Sequence, residues 1–436
     1  MDFDLTSDQY RLVGQTRDYA ERVIRPAAGR LDQLSSAEDF PFDLMREGSA
    51  LGLKSLPLPR DLGGVDADMV TQCLVAEELA AGDIAAAYFF RHYWRFARLV
   101  PRLPRPVREL IVRGISEDET FVPASATTEP QAGSDNALPY DAPGHGAMLS
   151  ARLVKGQGEA GRAGEVGGGE WVLNGSKLMI TNAPIASLIF VLARTDAAVG
   201  VRQGTTMIAV PASAPGVRTG PVYQKLGQRG SLQADIFFED CRVPADHAVT
   251  AVGEGYQAAE RGLTAANITN AAMCLGVARA AYDAALDWSL DRVQGGVPIY
   301  RHQLVAHDLG RMKLLLDAAH SYLMSTAWAY SWSPAFHPRL SWGVRVHAAE
   351  VAIEVTQKAM FLFGGRGIMT GNPAEKLVRD ALTLTHGNGT SALMTLRIGE
   401  QQAQARLASR KETRPPDAVA SVPAPTAAHL IGEVHG

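Results

Sequence analysis

The sequence predicts an α+β protein in which a helical domain, a β domain and a helical bundle follow one another. Hydrophobic side chains recur at helical spacing over residues 1–120 and again over 249–405. Between them, residues 121–248 contain short β-rich runs separated by glycine and proline. The last segment, 406–436, is rich in proline and alanine and has no periodicity, which predicts a disordered tail.

The N-terminal helical domain rests on two long periodic segments. "TSDQYRLVGQTRDYAERVIRP" opens with a Thr or Ser cap and ends at Pro26, and "MVTQCLVAEELAAGDIAAAYFF" is long and apolar. The C-terminal segment has the same character: Cys274, Ala278, Ala281 and Ala285 share one helical face. We expect this last segment to form a four-helix bundle.

The middle domain is predicted to be a β-barrel or sandwich. Its strand candidates are "GEWVLNGSKLMIT", "TTMIAVPA" and "ADIFFEDCRVP", and the pair Asn174-Gly175 is typical of a hairpin turn. A glycine-rich stretch covers residues 156–170. Because a phosphate-binding loop requires a strand-to-helix context that is missing here, we interpret this stretch as a flexible hairpin extension.

Composition excludes several classes of protein. The formal charge of the 436 residues is −4, and lysine and arginine are scattered, so no nucleic-acid partner is expected. The three cysteines are far apart, which predicts neither a zinc site nor a disulfide framework and favours a reducing compartment. The N-terminus does not resemble a signal peptide, and the apolar runs are too short for a membrane span. We therefore expect a cytoplasmic protein.

Five motifs occur in the order in which they occur in the acyl-CoA dehydrogenase family, which this chain resembles over residues 5–405. They are "TTEPQAGSD" (127–135), "NGSKLMITNA" (174–183), "KLGQRGSLQADIFFEDCRVP" (225–244), "FGGRGI" (363–368) and "EKLVRDALTLTHGNGTS" (375–391). The resemblance implies a flavoenzyme that binds FAD and an acyl thioester, presented by CoA or by an acyl-carrier protein. It also implies a homotetramer or homodimer, with an electron-transfer flavoprotein or a flavin reductase as a possible redox partner.

The resemblance assigns FAD contacts to two groups of residues. On the β domain, Thr128 and Thr181 match residues that contact the flavin. Met179 occupies the position at which the family has a Trp beside the flavin ring. Ser134 matches the position at which the pyrophosphate of FAD and the bound thioester meet. On the bundle, the matching residues reach the FAD of a neighbouring subunit or line the cofactor: Arg292, His302, Gln303, Gly364, Gly365 and Thr390. Gly295 replaces a family Phe, so FAD shielding is expected to differ.

The motif "HGNGTS" departs from the family at its catalytic position. The family sequence is Glu-Gly-Thr, whereas this chain has Asn388, Gly389 and Thr390. In the family that Glu removes the α-proton of the thioester while hydride leaves Cβ, and loss of a positioned base typically costs about 10²- to 10⁴-fold. The alternative base position, on the helix that opens the bundle, falls on Ala266, and the family Arg beside it falls on Asn267. The substrate is expected to lie near Ser134, Ala266, Asn267 and Gly389.

Two histidines are candidates to replace the missing base. His386 lies two residues before Asn388, and His92 interrupts an aromatic helix that resembles a wall of the substrate pocket. Neutral imidazole has a suitable intrinsic pKa for proton transfer. Glu260 and Arg261 lie about a turn and a half before Ala266, which places them off the acyl pocket.

Four hypotheses remain open at this point. The first is an acyl-thioester flavoenzyme, as in secondary-metabolite pathways, whose chemistry is α-deprotonation with cyclisation or elimination. The second is a flavin-dependent monooxygenase, in which His92 and His386 would act near the flavin. The third is a desaturase that uses His386. The fourth is a catalytically silent subunit that pairs with an active paralogue.

Overall fold

The computed structural model describes residues 4–137, 141–155 and 169–412. The predicted order of helical domain, β domain and helical domain is confirmed. The helices of the first domain are α1 (Ser7–Tyr19), α2 (Ala28–Asp32), α3 (Phe42–Ala50), α4 (Met69–Gly82), α5 (Ile84–Ala97) and α6 (Arg105–Glu117). Short polar side chains cap several of them, as Asp68 does for α4 and Asp83 for α5. Helical turns continue past Pro26, which lies in the first turn of a 3₁₀ segment.

The middle domain is one mixed sheet curled around its own core. Its elements are β1 (Pro123–Ala126), β2 (Ser150–Lys155), β3 (Gly169–Thr181), β4 (Leu188–Arg194), α7 (Val201–Gly204), β5 (Thr205–Pro211), β6 (Val217–Thr219) and β7 (Gln233–Pro244). The strand order is β1-β4-β2-β3-β7-β6, and β5 pairs with β4. β1 and β2 run parallel to β4, and the other pairs are antiparallel.

The hairpin predicted at Asn174-Gly175 was wrong, because both residues lie inside the long strand β3. The register shifts between Leu173 and Gly175, and Asn174 exchanges hydrogen bonds with Asp240 across the bulge. Gly175 has a φ of 135° and packs against Leu149, so its lack of a side chain serves close strand packing. Of the glycine-rich stretch 156–170, residues 156–168 lie outside the described residues.

The C-terminal domain is a helical bundle interrupted by a small hairpin. Its elements are α8 (Gly255–Asp291), β8 (Val293–Gln294), β9 (Val297–Pro298), α9 (Gln303–Trp332), α10 (Arg339–Leu362), α11 (Pro373–Thr383) and α12 (Ser391–Glu412). Helix α12 extends seven residues into the segment predicted as a tail, and 413–436 lie outside the described residues. Among the described residues, none of the helices combines the length and apolar character that a membrane span requires.

The two helical domains share one hydrophobic core. Helix α4 is buried on nearly all sides and packs on α8, and one cluster of buried side chains runs from Tyr19 and Leu79 to Met273 and Val355. The β domain has a separate cluster that includes Trp171, Val191 and Phe238. The candidate site lies where α5, α8 and the loop between α11 and α12 approach one another.

Candidate active site

The motif "TTEPQAGSD" is attached to β3 by a buried ion pair. Lys177 Nζ lies 2.7 Å from Glu129 Oε1, and both side chains are almost fully enclosed. Burial lowers the pKa of Lys177 to about 8, against the opposing effect of Glu129. Leu178 N also donates to Thr128 O at 2.8 Å. Thr128 is thereby held beside the strand that carries Thr181, whose hydroxyl accepts from Gln233 Nε2 at 2.9 Å.

Met179 occupies a strained position on the same strand. Its φ is 55°, at a second bulge in β3, and its backbone N–H donates to Asp235 at 3.0 Å. The side chain is 51% exposed. A large apolar residue with positive φ is unusual, and such strain is typical of functional sites. The bulge therefore presents Met179 on the surface where the family resemblance places the flavin, and Ser134 is also exposed, at the start of a 3₁₀ turn.

Apart from Thr390, which lies between α11 and α12, the predicted FAD contacts of the bundle lie at the end of α8, at the start of α9 and in the turn after α10. Trp288 stacks on Phe363 with a ring separation of 5.2 Å, which joins the end of α8 to the turn that contains Gly364 and Gly365. Arg292 is exposed and lies over the Trp288 ring. His302 Nε2 contacts Gln294 O at 3.0 Å, and the neighbouring Gln303 is exposed. The contact of Arg292, His302 and Gln303 with the FAD of a neighbouring subunit stays a prediction of the family resemblance.

The loop between α11 and α12 is anchored from beneath by Arg345. This guanidinium, 1% exposed, donates to the carbonyls of Leu384 and Gly387. Burial lowers the pKa of Arg345. At the end of the loop, Thr390 Oγ1 accepts from Leu393 N and caps α12. These hydrogen bonds fix the conformation of the loop, and Asn388 lies at its centre.

Asn388 adopts a left-handed conformation with a φ of 58°, which asparagine tolerates better than most residues, and the following Gly389 has a φ of 97°. The amide nitrogen Nδ2 is enclosed and has no hydrogen-bond partner among the described residues. Since buried amide groups are normally satisfied, this donor is available to a ligand. The site presents a hydrogen-bond donor where the family presents a carboxylate.

The two candidate histidines, His386 and His92, lie in different environments. His386 is exposed on the loop, and its Nδ1 lies 2.8 Å from Thr385 Oγ1. His92 is buried in α5 and its Nδ1 donates to Tyr88 O at 2.8 Å. Burial, with Arg91 beside it, lowers the pKa of His92 to about 3. An imidazole with that pKa is a poor proton acceptor near neutral pH.

On α8, Ala266 and Asn267 are both buried, and the Oδ1 of Asn267 has no partner among the described residues. Glu260, one turn and a half earlier, forms an ion pair with Arg397 of α12. This pair lines a cleft of about 420 Å³ between α8 and α12, together with Tyr256 and Gln401. The cleft lies beside the first turns of α8, about two helical turns before Asn267.

A buried ionic network fixes α11 and the loop that precedes β7. Lys376 Nζ lies 2.7 Å from both Asp83 and Asp380, and both carboxylates are about 1% exposed. Burial alone would lower the pKa of Lys376, but the two carboxylates outweigh it and raise that pKa. Asp380 also accepts from Gln228 N at 2.6 Å. The network therefore sets the positions of Gln228 and of the loop between α11 and α12 together.

Three residues at this site were not predicted from the sequence. The Tyr88 hydroxyl would lie 3.3 Å from a Cβ on Gly387, so it contacts the loop between α11 and α12. Gln228 lies beside Tyr88, and its enclosed side chain interacts with the Tyr88 hydroxyl. Arg345 is the loop anchor. Of these three, only Tyr88 could have been predicted from the sequence, because it lies one helical turn before the candidate His92.

Comparison with known proteins agrees with this geometry. Three family models match in order: the acyl-CoA dehydrogenase N-terminal domain over residues 6–97, the middle domain over 124–241 and the C-terminal domain over 253–403. The probable acyl-CoA dehydrogenase YngJ of Bacillus subtilis is 29% identical, covering 92% of this chain and 99% of that protein. The cyclohex-1-ene-1-carbonyl-CoA dehydrogenase of Geobacter metallireducens is 30% identical, covering 91% and 98%.

The fold agrees as well. The structure of butyryl-CoA dehydrogenase from Megasphaera elsdenii superposes with a TM-score of 0.81 at 27% identity, covering 92% of this chain and 100% of that one. The chain therefore belongs to the acyl-CoA dehydrogenase family. It is an acyl-CoA dehydrogenase-like flavoenzyme, and the predicted cofactor, FAD, is confirmed at the level of the family. The exposed, strained Met179 and the unpartnered donor of Asn388 fit a bound flavin and its substrate.

Proposed function

We propose that this protein acts on an acyl thioester by a reaction other than ordinary α,β-dehydrogenation. The observation that carries the proposal is the amide of Asn388 in the position of the family base, with its Nδ2 unpartnered. Neighbouring carboxylates offer no substitute, because Asp380 is paired with Lys376 and Glu260 with Arg397. An amide does not accept a proton usefully near neutral pH.

The donors around the loop are suited to stabilising negative charge on the thioester oxygen. Asn388 Nδ2 is enclosed and without a partner in the described residues, and Gln228 Nε2 is enclosed beside the Tyr88 hydroxyl. The Tyr88 hydroxyl lies against Gly387 and is itself buried. Preorganised donors in an enclosed site stabilise a developing oxyanion more strongly than water does. We propose that they bind the thioester carbonyl and favour loss of the α-proton.

The proposed reaction needs no net oxidation. The α-proton passes to His386, and the resulting carbanion either expels a leaving group from Cβ with its bonding electron pair, or closes a ring by displacing a leaving group from another carbon of the acyl chain. When bound, FAD supplies hydride-accepting chemistry and a polar wall to the acyl pocket. His386 is the proposed acceptor because it is on the same loop as Asn388 and is accessible to solvent, which can carry the proton away.

The substrate is proposed to be an acyl-CoA or an acyl-carrier-protein thioester, as in secondary metabolism. The cleft lined by Tyr256, Glu260 and Arg397 is the proposed entry for the pantetheine arm. An electron-transfer flavoprotein or a flavin reductase is a possible redox partner. The cytoplasmic localisation stays a prediction.

Proton removal without oxidation is testable in D₂O. Incubation with acyl-CoA and carrier-bound thioesters is expected to incorporate deuterium at Cα, detected by mass spectrometry, while the absorbance of oxidised flavin stays constant. His386→Gln should lower exchange about 10²-fold or more, whereas His307→Gln, at an exposed histidine of α9, should leave it unchanged. Exchange that is absent from every thioester, or that survives in His386→Gln, would contradict the proposal.

We propose that the protein is a homotetramer or homodimer whose FAD sites are completed between subunits. The bundle exposes large apolar side chains that a monomer would leave in water, among them Leu304 at 80%, Leu314 at 68% and Phe361 at 73%. Contiguous exposed apolar surface is typical of interfaces. Arg292 lies at the end of the bundle that carries Leu304 and Phe361, and it is the proposed contact with the partner's cofactor.

Arg292→Ala is expected to weaken FAD binding by about 10- to 100-fold, the usual value of a charged hydrogen bond, and to shift the oligomer toward smaller species. FAD titration and analytical ultracentrifugation measure the two effects. Arg11→Ala is the matched control, because Arg11 is an exposed arginine of α1. Full FAD occupancy in Arg292→Ala would show that Arg292 is an ordinary surface residue.

A further inference from the structure

The second bulge of β3 is closed by a side chain of the neighbouring strand. Two residues of β3, Leu178 and Met179, lie opposite a single residue of β7, Asp235. The backbone N–H of Leu178 donates to Thr128 O at 2.8 Å. That of Met179 donates to Asp235 Oδ1 at 3.0 Å, so a side chain replaces the backbone acceptor of a regular strand. Asp235 thereby stabilises the conformation in which Met179 has a φ of 55°.

Asp235 shares the outer face of the sheet with a predicted flavin contact. Gln233, two residues before Asp235 on β7, donates to the hydroxyl of Thr181 at 2.9 Å. Side chains two residues apart on a strand lie on one face. The alternate residues, Ala234 and Ile236, belong to the core of the β domain, so Gln233 and Asp235 point outward. The Asp235 carboxylate is therefore on the face where the family resemblance places the flavin.

In the part of the chain that the structure describes, Asp235 forms no ion pair. The arginines of β6 and β7 pair with other acids, Arg218 with Glu239 at 4.0 Å and Arg242 with Glu170 at 3.2 Å. The charge of the Asp235 carboxylate is thus not cancelled by a cationic side chain of the described residues.

A tyrosine orients this carboxylate. The Tyr223 hydroxyl lies 3.0 and 2.9 Å from the two carboxylate oxygens of Asp235. The hydrogen bond raises the pKa of Tyr223, so the phenol keeps its proton and acts as the donor. Tyr223 N also donates to Gln233 O at 2.9 Å, which attaches the segment before β7 to the strand. Because the phenol is neutral, it holds the carboxylate in place and leaves its negative charge.

We propose that Asp235 is a positioning residue for the flavin and that its negative charge keeps bound FAD oxidised. Acceptance of a hydride, one proton with two electrons, adds one negative charge to FAD. A carboxylate held on the same surface opposes that charge, because like charges repel. The protein therefore favours oxidised over reduced FAD more strongly than it would without Asp235. This inference rests on the proposed function, in which FAD is a wall of the acyl pocket and is not reduced.

The midpoint potential of bound FAD tests the inference without substrate. The FAD-loaded wild type and Asp235→Asn are reduced anaerobically with dithionite beside a reference dye. Asparagine keeps an oxygen that accepts from Met179 N–H, and it removes the charge. The ratio of the affinities for oxidised and reduced FAD is expected to fall about tenfold, as for a unit charge at a partly solvated site, which raises the potential by about 30 mV for a two-electron couple.

Asp240→Asn is the matched control. Asp240 is an exposed aspartate of the same strand, five residues from Asp235. At that separation, roughly 16 Å along the strand, salt screens its charge. The control should therefore leave the potential unchanged. Asp235→Ala removes the acceptor of Met179 N–H together with the charge, so it should also weaken the binding of oxidised FAD about tenfold, measured by FAD titration.

The outcomes distinguish this inference from the function on which it rests. An unchanged or lower potential in Asp235→Asn, or an equal rise in Asp240→Asn, would overturn the charge effect, and full FAD affinity in Asp235→Ala would overturn the positioning role. Deuterium exchange at Cα would still test the function. If Asp235→Asn does not fold, Tyr223→Phe decides: loss of the donor should lower the potential, and a potential that did not fall would overturn the inference.

Discussion

Replacing Asn388 with glutamate is expected to create α,β-dehydrogenase activity on the order of 10²-fold above the wild type, the usual value of a positioned general base. The new carboxylate would occupy an enclosed position beside Tyr88 and Gly387, where desolvation raises its pKa toward neutrality and makes it a stronger base. The measurement is the steady-state rate at which the wild type and the variant reduce an electron acceptor. The substrates are acyl-CoAs with short, branched, medium-length and dicarboxylic acyl chains, and one carrier-bound thioester.

Two control variants separate charge from geometry. Asn388→Gln has the length of glutamate without its charge, and Asn388→Asp has the charge on a shorter side chain, so both should remain near the wild-type rate. The left-handed φ of 58° at this position disfavours glutamate by about 1–2 kcal/mol, so Tm should fall while activity rises. If Asn388→Gln gained as much activity as Asn388→Glu, the carboxylate would not be acting as a base.

Lys376→Met is expected to destabilise the protein by about 3–5 kcal/mol, because it leaves Asp83 and Asp380 buried without a cation. Thermal unfolding at matched FAD concentration measures the change. Lys313→Met is the control: it breaks an exposed ion pair with Asp317, and such pairs contribute at most about 1 kcal/mol. If the Tm of Lys376→Met were as high as that of Lys313→Met, the buried ionic network would contribute little to the stability of the protein.

The effect of Lys376→Met should depend on pH. Burial raises the pKa of Asp380, against the opposing effect of Lys376, so loss of that lysine should raise the pKa further. A carboxyl whose folded-state pKa lies above its unfolded value binds more protons when folded. Stability of the variant should therefore fall as pH rises through that interval and recover as pH is lowered. A gap between wild type and variant that widened on acidification would contradict this account.

The order of the domains could be predicted because hydrophobic periodicity is a local property of the chain. Contacts between distant segments could not. Lys376 and Asp83 are separated by nearly three hundred residues, and nothing near either residue indicates the pairing. The turn predicted at Asn174-Gly175 failed for the same reason, since the partner that makes this pair a bulge is Asp240, on another strand.

The residues of the candidate site also divide into those that a local motif predicts and those that depend on contacts between distant segments. Asn388 could be found from its motif, because the replaced residue lies among unchanged neighbours. The roles of Thr128, Thr181, Arg292 and the other proposed cofactor contacts remain predictions that the geometry accommodates. Arg345 could not be predicted, because its hydrogen bonds to the carbonyls of Leu384 and Gly387 join segments that are far apart in the sequence.

The central claim is that the wild-type site, with Asn388 in place of a carboxylate, does not carry out ordinary dehydrogenation. The most direct measurement is the anaerobic half-reaction, in which the purified yellow protein is mixed with each acyl thioester and the absorbance of oxidised flavin is followed. We expect no bleaching on the timescale of catalysis with any substrate that exchanges its α-proton. Bleaching at a few per second or faster, a rate typical of enzymes, would contradict the claim and identify a desaturase that uses another base.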